Sequence, residues 1–537
     1  MNRRGSTTPS RALCLSCVVG SLALWLAAFL RHRPVSCLIW DDSFMFVRYA
    51  TRLLHGGGIT WNPGQFPTWG STSLGFLGVV TAVRSVSQEP QTVAFVSSFG
   101  SGCLLILLLF VLTLRVASGP RSARWLSLAL LLATLSRCAD SLGSHFRSGM
   151  DTTFAMAYLS AYLIAAHRLA EPTLTPNKWF DAGTITGLLG GAALLIRPDL
   201  LVFAVVIPVS IATSAQVEVR RAALRACWLT LLGNGVVWAI CSLYFRTPVP
   251  LSFYVKSLSF DPAFAELYGP WPALHGELYF RAVLPLLIVI GAGVCFVGRA
   301  AWLRRIDVGV AIAAALFIFY YRYRVVQVMH YSQRFYFPSL PALVYLAATS
   351  ISRLVPVILR TLERFTRAGE RYARMFGAVT LVLVAFAELR ASTRSVMSAV
   401  ACPLRTQATV QARLRAIWPG LDAATALPND LVIATTEVGL PGALNPDKTI
   451  VDLSGLNDTD LALRRRSAVQ AVLAEHADLV YLHRDYARMN RQFSSNPEFA
   501  ARYEPHDGAP RATPLSTFVR RDSTFRERLI AAIDSGR

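Results

Sequence analysis

Acid is scarce in this chain of 537 residues: Asp and Glu number 32 against 53 Lys and Arg, and charged residues of both signs make up only 16%. That poverty, set beside 53% hydrophobic residues and a mean hydropathy of +0.43, excludes an ordinary soluble globular protein, in which charged residues run to about 25%. A net charge of +21 suits nucleic acid in a soluble chain. Here the cations lie between apolar runs, so membrane lipids are the expected partner and nucleic acid is not. Cysteine is sparse as well. Cys103, Cys227, Cys241 and Cys295 sit inside apolar runs, where the residue acts as a small hydrophobe. The pair Cys14 and Cys17 has no second pair or neighbouring His, so no disulfide framework is expected, and Cys37 with Cys402 is the one pairing an outer compartment would permit. Also missing are a Walker loop, a dinucleotide fingerprint, an HExxH helix, a GxSxG elbow and any internal repeat.

Long apolar runs are abundant. Stretches of about 20 residues or slightly fewer, the length that spans a bilayer, fall near 12–30, 91–114, 122–138, 151–167, 182–196, 199–214, 226–245, 281–301, 307–321, 338–358 and 375–390. This predicts a polytopic α-helical membrane protein with about eleven spans. The basic flank and the lack of a small-residue cleavage site make the first run an uncleaved span. Only Arg197, Pro198 and Asp199 separate the pair at 182–196 and 199–214, so a kinked or re-entrant helix serves there equally well.

With the N-terminus cytoplasmic, the positive-inside rule places Arg115, Arg121 and Arg124, then Arg220, Arg221 and Arg225, then Arg299, Arg304 and Arg305, and finally Arg360 to Arg374 on the inner side. The loops 31–90, 137–150, 246–280 and 322–337 then face out with the tail. Residues 1–390 form the expected transmembrane domain and 391–537 an extracytoplasmic one. In the tail, LVIAT, TIVDL and DLVYL alternate with turn residues, and RRRSAVQAVLAEH reads as a helix, a pattern for a small α/β domain. The stretch VDLSGLNDTD lacks the spacing of a calcium loop and reads as a turn.

The outer loops hold the polar clusters. IWDDSFMFVRYATRLLHGGG sets Asp41 and Asp42 ahead of a short amphipathic helix whose polar face carries Arg48, Arg52 and His55, and which is expected to lie at the membrane interface. One Asp would suffice to cap that helix; two suggest chemistry, such as a general base that deprotonates an acceptor hydroxyl, its pKa raised by partial desolvation. Adjacent carboxylates also permit a divalent cation, Mg or Mn, without requiring one. On the same side stand His145 and Arg147, Arg197, Lys256, and His330 with Arg334, a ring of cations suited to a lipid phosphate that departs as an anion. Aromatics such as Trp40, Trp61, Trp69 and Tyr254 recur beside them.

Together these stretches resemble the polyprenyl-phosphate-sugar-dependent glycosyltransferases of the GT-C fold, most closely the mycobacterial terminal arabinofuranosyltransferase family. DDSFMFVRYATRLLHGGGITWNPGQ resembles that family's first outer loop. SGMDTTF, IRPDLL, PVPLSFYVKS, RFYFPSLP and VDLSGLND resemble further segments in the same order, with Asp151 where the family has Glu. Gln65 replaces the Glu of the WNPGE turn, and WGSTS replaces the EGYT segment, so that Trp69 stands for the acid and Ser71 for the tyrosine. The resemblance implies transfer of one sugar, arabinofuranose-like or a hexose, from a polyprenyl phosphate with inversion. The acceptor would be a cell-wall polysaccharide, lipopolysaccharide or protein on the outer face of a bacterial cytoplasmic membrane. Carried over by position, Asp41 is the base with Asp42 assisting; Lys256, Arg197, Arg334, His330 and His145 contact the donor phosphate; Arg48, Trp61, Asn62, Trp69 and Tyr254 are candidate sugar or acceptor contacts. The rival classes are a lipid-linked sugar flippase, which predicts polar groups at mid-membrane and repeated halves, and a non-catalytic envelope scaffold presenting the tail.

Overall fold

The computed structural model describes residues 40–118, 120–171, 181–256, 276–296, 304–325, 331–365, 417–483, 486–506 and 515–535. Among these, five helices are long and apolar enough to cross a membrane: Pro90–Val116, Val217–Phe245, Glu277–Cys295, Arg305–Tyr323 and Phe337–Thr361. Helices Arg121–Arg137 and Thr152–Leu169 fall on two further apolar runs. The expected spans at 12–30 and 375–390 lie outside the described residues, as do Cys14, Cys17, Cys37 and Cys402. Within Pro90–Val116 the hydroxyls of Ser97 and Ser101 donate to the carbonyls four residues back, which satisfies them in an apolar setting.

The short pair is a broken helix. Ala182–Gly191 packs on Val217–Phe245 through Gly183, Gly187 and Gly191, one helical turn apart; a Cβ at Gly183 would stand 2.6 Å from the Ala222 carbonyl oxygen, and one at Gly187 2.6 Å from the Leu229 Cβ. After Ala193–Ile196 the chain extends at Arg197, makes a 3-10 turn over Pro198–Leu200, and resumes helix over Leu201–Ala212. The proline cannot donate, so the break falls where sequence reasoning left two possibilities, and it turns Arg197 and Asp199 toward the interior.

The tail carries strands β1 (Val432–Thr435), β2 (Thr449–Asp452), β3 (Leu479–His483), β4 (Tyr503–Pro505) and β5 (Leu515–Arg520), in the order β2-β1-β3-β5-β4. The first three are parallel, and β5 runs antiparallel to both β3 and β4. The helix in RRRSAVQAVLAEH begins only after the arginines, where Ser467 and Gln470 form a reciprocal capping box.

The bundle has its own core, and a second core joins Phe44, Val47, Tyr49, Trp61, Phe76 and Val93 to Trp418, Ile433, Leu440, Tyr481 and Leu529 of the tail. The helix Asp41–Leu54 therefore lies beneath the tail rather than flat on a membrane surface: Ser43 to Thr51 are all buried, including Arg48, expected on its polar face. Burying apolar residues on every side of a helix requires partners on every side, and the tail supplies the missing one.

Candidate active site

Asp41 and Asp42 occupy the first turn of their helix, where carboxylates meet the positive end of the helix dipole. Consecutive helical residues project about 100° apart, so the two side chains diverge. Asp41 accepts the N–H of Gly439 at 2.7 Å and of Leu440 at 2.8 Å, capping the helix Gly439–Leu444 of the tail instead of its own. The approach is so close that a Cβ on Gly439 would meet the Asp41 carbonyl oxygen at 1.7 Å. Asp42 instead takes Nη2 of Arg334 at 2.8 Å and lines a cavity of about 140 Å³.

Segments far apart in sequence meet in that cavity: Asp42, Gly70 to Thr72, Met150 and Asp151, Arg197 to Asp199, Ser252, Phe253 and Lys256, Arg334 and Phe335, and Leu456. Each belongs to a stretch set apart by its polar residues in an apolar chain. Ser71, one of the positions that departs from the resembled pattern, lies in the wall. Trp69, another, does not line it and stacks on Phe245 with ring centres 5.2 Å apart.

Three carboxylates and three cations share the cavity wall. Arg197 donates to both oxygens of Asp199, at 3.1 and 2.7 Å, and to the Tyr321 hydroxyl at 3.0 Å, with Asp151 3.5 Å away. Arg197 is thus held by acids on two sides. Arg334 keeps a donor in hand: its Nη1 is buried with no hydrogen-bond partner among the described residues. Two residues before it in left-handed backbone, Ser332 (φ 48°) and Gln333 (φ 57°), present this guanidinium. Such strain persists only where its surroundings enforce it. His145 does part of that work from behind the cavity: its Nε2 donates to the Ser332 carbonyl at 3.1 Å and its ring packs on Trp40 and Phe337. Burial and the nearby arginines drive its pKa down to about 3, so it stays neutral.

The acids are tuned apart. Burial pushes Asp41 up to about 7; the amides of Leu440 and Gly439 oppose this, and the negative charges of Asp42 and Asp452 add to it. Burial also opposes ionisation of Asp42, but Arg334 and Lys256 outweigh it and hold that carboxyl below its ordinary range. Lys256 is lowered to about 8 by burial and by Arg334, with Asp42 and Asp151 working the other way. Glu437, on the loop before Gly439, is raised well above its ordinary value by burial and by Asp41, Asp42 and Asp452.

Other sequence candidates go elsewhere. Arg48, fully buried, donates to the carbonyls of Trp61, Gly442, Asn445 and Lys448 and to the Asn62 side chain. The Trp61 indole and the Asn62 amide both donate to the Ile450 carbonyl. These three, expected as sugar or acceptor contacts, clasp loop to tail and do not line the cavity. Tyr254 faces a separate groove. His330 lies outside the described residues. Asp151 and Asp199 were legible as acids of the GMD and RPD stretches, whereas Tyr321 sits in an apolar helix and gave no signal. VDLSGLNDTD folds as a turn closed by Asp452, which accepts from Ser454 and from both nitrogens of Asn457. As for a divalent cation, Asp41 faces amides and Asp42 a guanidinium, so the pair offers no shared ligand set. Among the described residues no group of three or more His, Cys, Asp or Glu is arranged to hold a metal.

The architecture that carries this site, apolar helices under a tail that covers the segment 40–89, is that of a membrane-type helical protein, and solved structures share its fold. ArnT from Cupriavidus metallidurans superposes in its apo state with a TM-score of 0.55 at 13% identity, over 94% of this chain and 98% of that one. Its complex with undecaprenyl phosphate gives 0.58 at 14%, over 96% and 99%. The Archaeoglobus fulgidus oligosaccharyltransferase tethered to an acceptor peptide with the NVT sequon gives 0.51 at 13%, over 96% of this chain and 74% of that one. No family model and no curated protein matches the chain.

Proposed function

We propose that this protein is an inverting glycosyltransferase that moves a single sugar from a polyprenyl phosphate to a cell-envelope acceptor on the outer face of a bacterial cytoplasmic membrane. The observation that carries the reading is the cavity itself: Asp42, Asp151, Arg197, Asp199, Lys256 and Arg334 converge from five separate segments, and Arg334 brings an unpartnered buried donor. An unpaired, buried guanidinium nitrogen calls for an anion. The fold shared with ArnT, whose complex holds undecaprenyl phosphate, supports a lipid phosphate as that anion. The resemblance of the loop stretches supports an arabinofuranose-like pentose or a hexose as the sugar.

In this reading Lys256 and the free edge of Arg334 hold the phosphate, and Asp42 fixes both cations in place. The acceptor hydroxyl oxygen bonds to the anomeric carbon as the bond from that carbon to the phosphate oxygen breaks, its electron pair leaving on the polyprenyl phosphate. The hydroxyl proton passes to the Asp41–Asp42 pair: Asp42 lines the cavity, and Asp41, whose pKa of about 7 suits a general base at neutral pH, stands beside it outside that wall with both carboxylate oxygens on the tail amides. Attack opposite the departing phosphate inverts the centre. The energy is carried in the donor bond, so no nucleotide site is required, and no step is assigned to a metal.

Donor binding tests the cavity directly. Purified protein in nanodiscs is expected to bind fluorescent undecaprenyl phosphate, with Lys256→Met and Arg334→Met each weakening it about tenfold or more, as charge-assisted hydrogen bonds do. Binding unchanged in both variants would remove the phosphate from this cavity.

A further inference from the structure

A second concavity adjoins the first. It is wider, about 500 Å³, and among its lining residues Arg464, Arg465, Arg466 and Arg488 carry positive charge while no acid contributes. Two segments wall it off from the cavity, and each shows a different side chain to either space. In the helix Leu251–Lys256, Phe253 and Lys256 face the cavity whereas Tyr254 and Val255 face the groove; in the turn after β2, Leu456 faces the cavity whereas Leu453 and Ser454 face the groove. A molecule seated in the groove therefore lies one wall's thickness from the proposed phosphate.

The arginine run is built to be presented. Arg464 takes left-handed backbone (φ 57°), unusual for a side chain of that size and a place where surrounding structure holds strain. Arg466 is fixed by Asp458 at 2.7 Å and Glu475 at 3.0 Å, yet its Nε stays buried without a hydrogen-bond partner among the described residues. Arg464, Arg465 and Arg488 are exposed, Arg465 with the Asp460 carboxylate 3.3 Å from its Nη1. Planar guanidinium groups suit carboxylates and phosphates, and a space of this size falls within the range of about 300–1,000 Å³ typical of ligand sites. Tyr254, Tyr486, Gln470 and Gln492 add ring faces and amides of the kind that hold sugars.

We propose that this groove is the acceptor site and that it takes an anionic glycan, a chain whose phosphate or carboxylate groups lie against the arginines while its hydroxyl end reaches over the Leu251–Lys256 wall to the donor. The inference rests on the glycosyltransferase reading and names its acceptor class. The test uses the full chain in nanodiscs of neutral lipid. The probes are fluorescent oligogalacturonate, phosphorylated dextran and neutral dextran, and the variant is Arg464→Gln/Arg465→Gln/Arg488→Gln, which spares the anchored Arg466. Wild type is expected to bind at least one anionic probe and not neutral dextran. The triple variant is expected to lose at least about tenfold in affinity while binding undecaprenyl phosphate as wild type does. Neutral dextran bound equally well, no binding of either anionic probe, or affinity unchanged in the variant would each overturn the assignment. If the variant instead loses only attachment to phosphatidylglycerol vesicles, the groove reads lipid headgroups and the inference also fails. Failure of the glycosyltransferase reading is separate, because it shows in undecaprenyl phosphate binding by the cavity variants.

Discussion

Asp41 and Asp42 differ by one position and by everything around them. Asp42 is pinned as an anion between Arg334 and Lys256, so it organises charge and makes a weak base; Asp41, raised to about 7, is the better proton acceptor. That division fixes a pH dependence. A base raised to about 7 is active above that value and loses activity, roughly tenfold per pH unit, below it. Lys256, lowered to about 8, holds the phosphate as an ammonium only below that value. The rate of transfer against pH is therefore expected to be a narrow bell with limbs near 7 and 8, and Lys256→Arg to carry the alkaline limb upward. A flat profile from pH 6 to 9 would contradict both roles. The residue pair was legible in the sequence as chemistry. Its divergence was not, because that depends on the helix beginning at Asp41 itself, with Trp40 as its cap, and a start two residues later would have turned both side chains elsewhere.

Among elements, the helix Asp41–Leu54 is the hinge of the account, since one end carries the acids and its middle carries Arg48. Sequence periodicity assigns an arginine to the solvent face because burying a charge is costly. Here five acceptors offset that cost, and four of them are backbone carbonyls that no pattern can announce. Arg48→Met would leave those carbonyls unsatisfied and is expected to destabilise the clasp by about 3 kcal/mol. It should expose the tail to limited proteolysis and lower transfer even though it lies outside the cavity. Proteolysis and activity both unchanged would mean the clasp does not position the acids. The apolar runs, by contrast, fall on described bundle helices, because about 20 apolar residues in succession admit few other fates, although the helix Val217–Phe245 begins well before its run at 226 and Glu277–Phe296 ends before its run does at 301. The arginine run at Arg464 to Arg466 was read as the start of a helix; the capping box at Ser467 shows that it precedes one.

At the scale of the molecule, the segment 40–89 and the tail share one hydrophobic core, and the cavity lies where that unit meets the bundle core. Chain segments around positions 42, 70, 151, 197, 253, 334 and 456 are brought to one place. The sequence expectation placed these stretches only in loops of one side; which side chains face inward depends on helix breaks such as the one at Pro198 and on the strained turn before Arg334. A flippase would be expected to carry its polar groups along a path between repeated halves, whereas here the acids and cations of the cavity gather beneath a covering tail, apart from the buried pair of Asp307 and Arg353 in the bundle. The most direct measurement is transfer of radiolabelled sugar from a panel of polyprenyl-phosphate donors by membranes containing wild type, Asp41→Asn or Asp42→Asn at equal expression. The account predicts transfer by wild type, a fall of about 10²–10⁴-fold for Asp41→Asn, the range of a lost general base, and a loss for Asp42→Asn that appears chiefly as weaker donor binding. Full transfer by Asp41→Asn, or donor crossing the bilayer with no transfer by wild type, would contradict it.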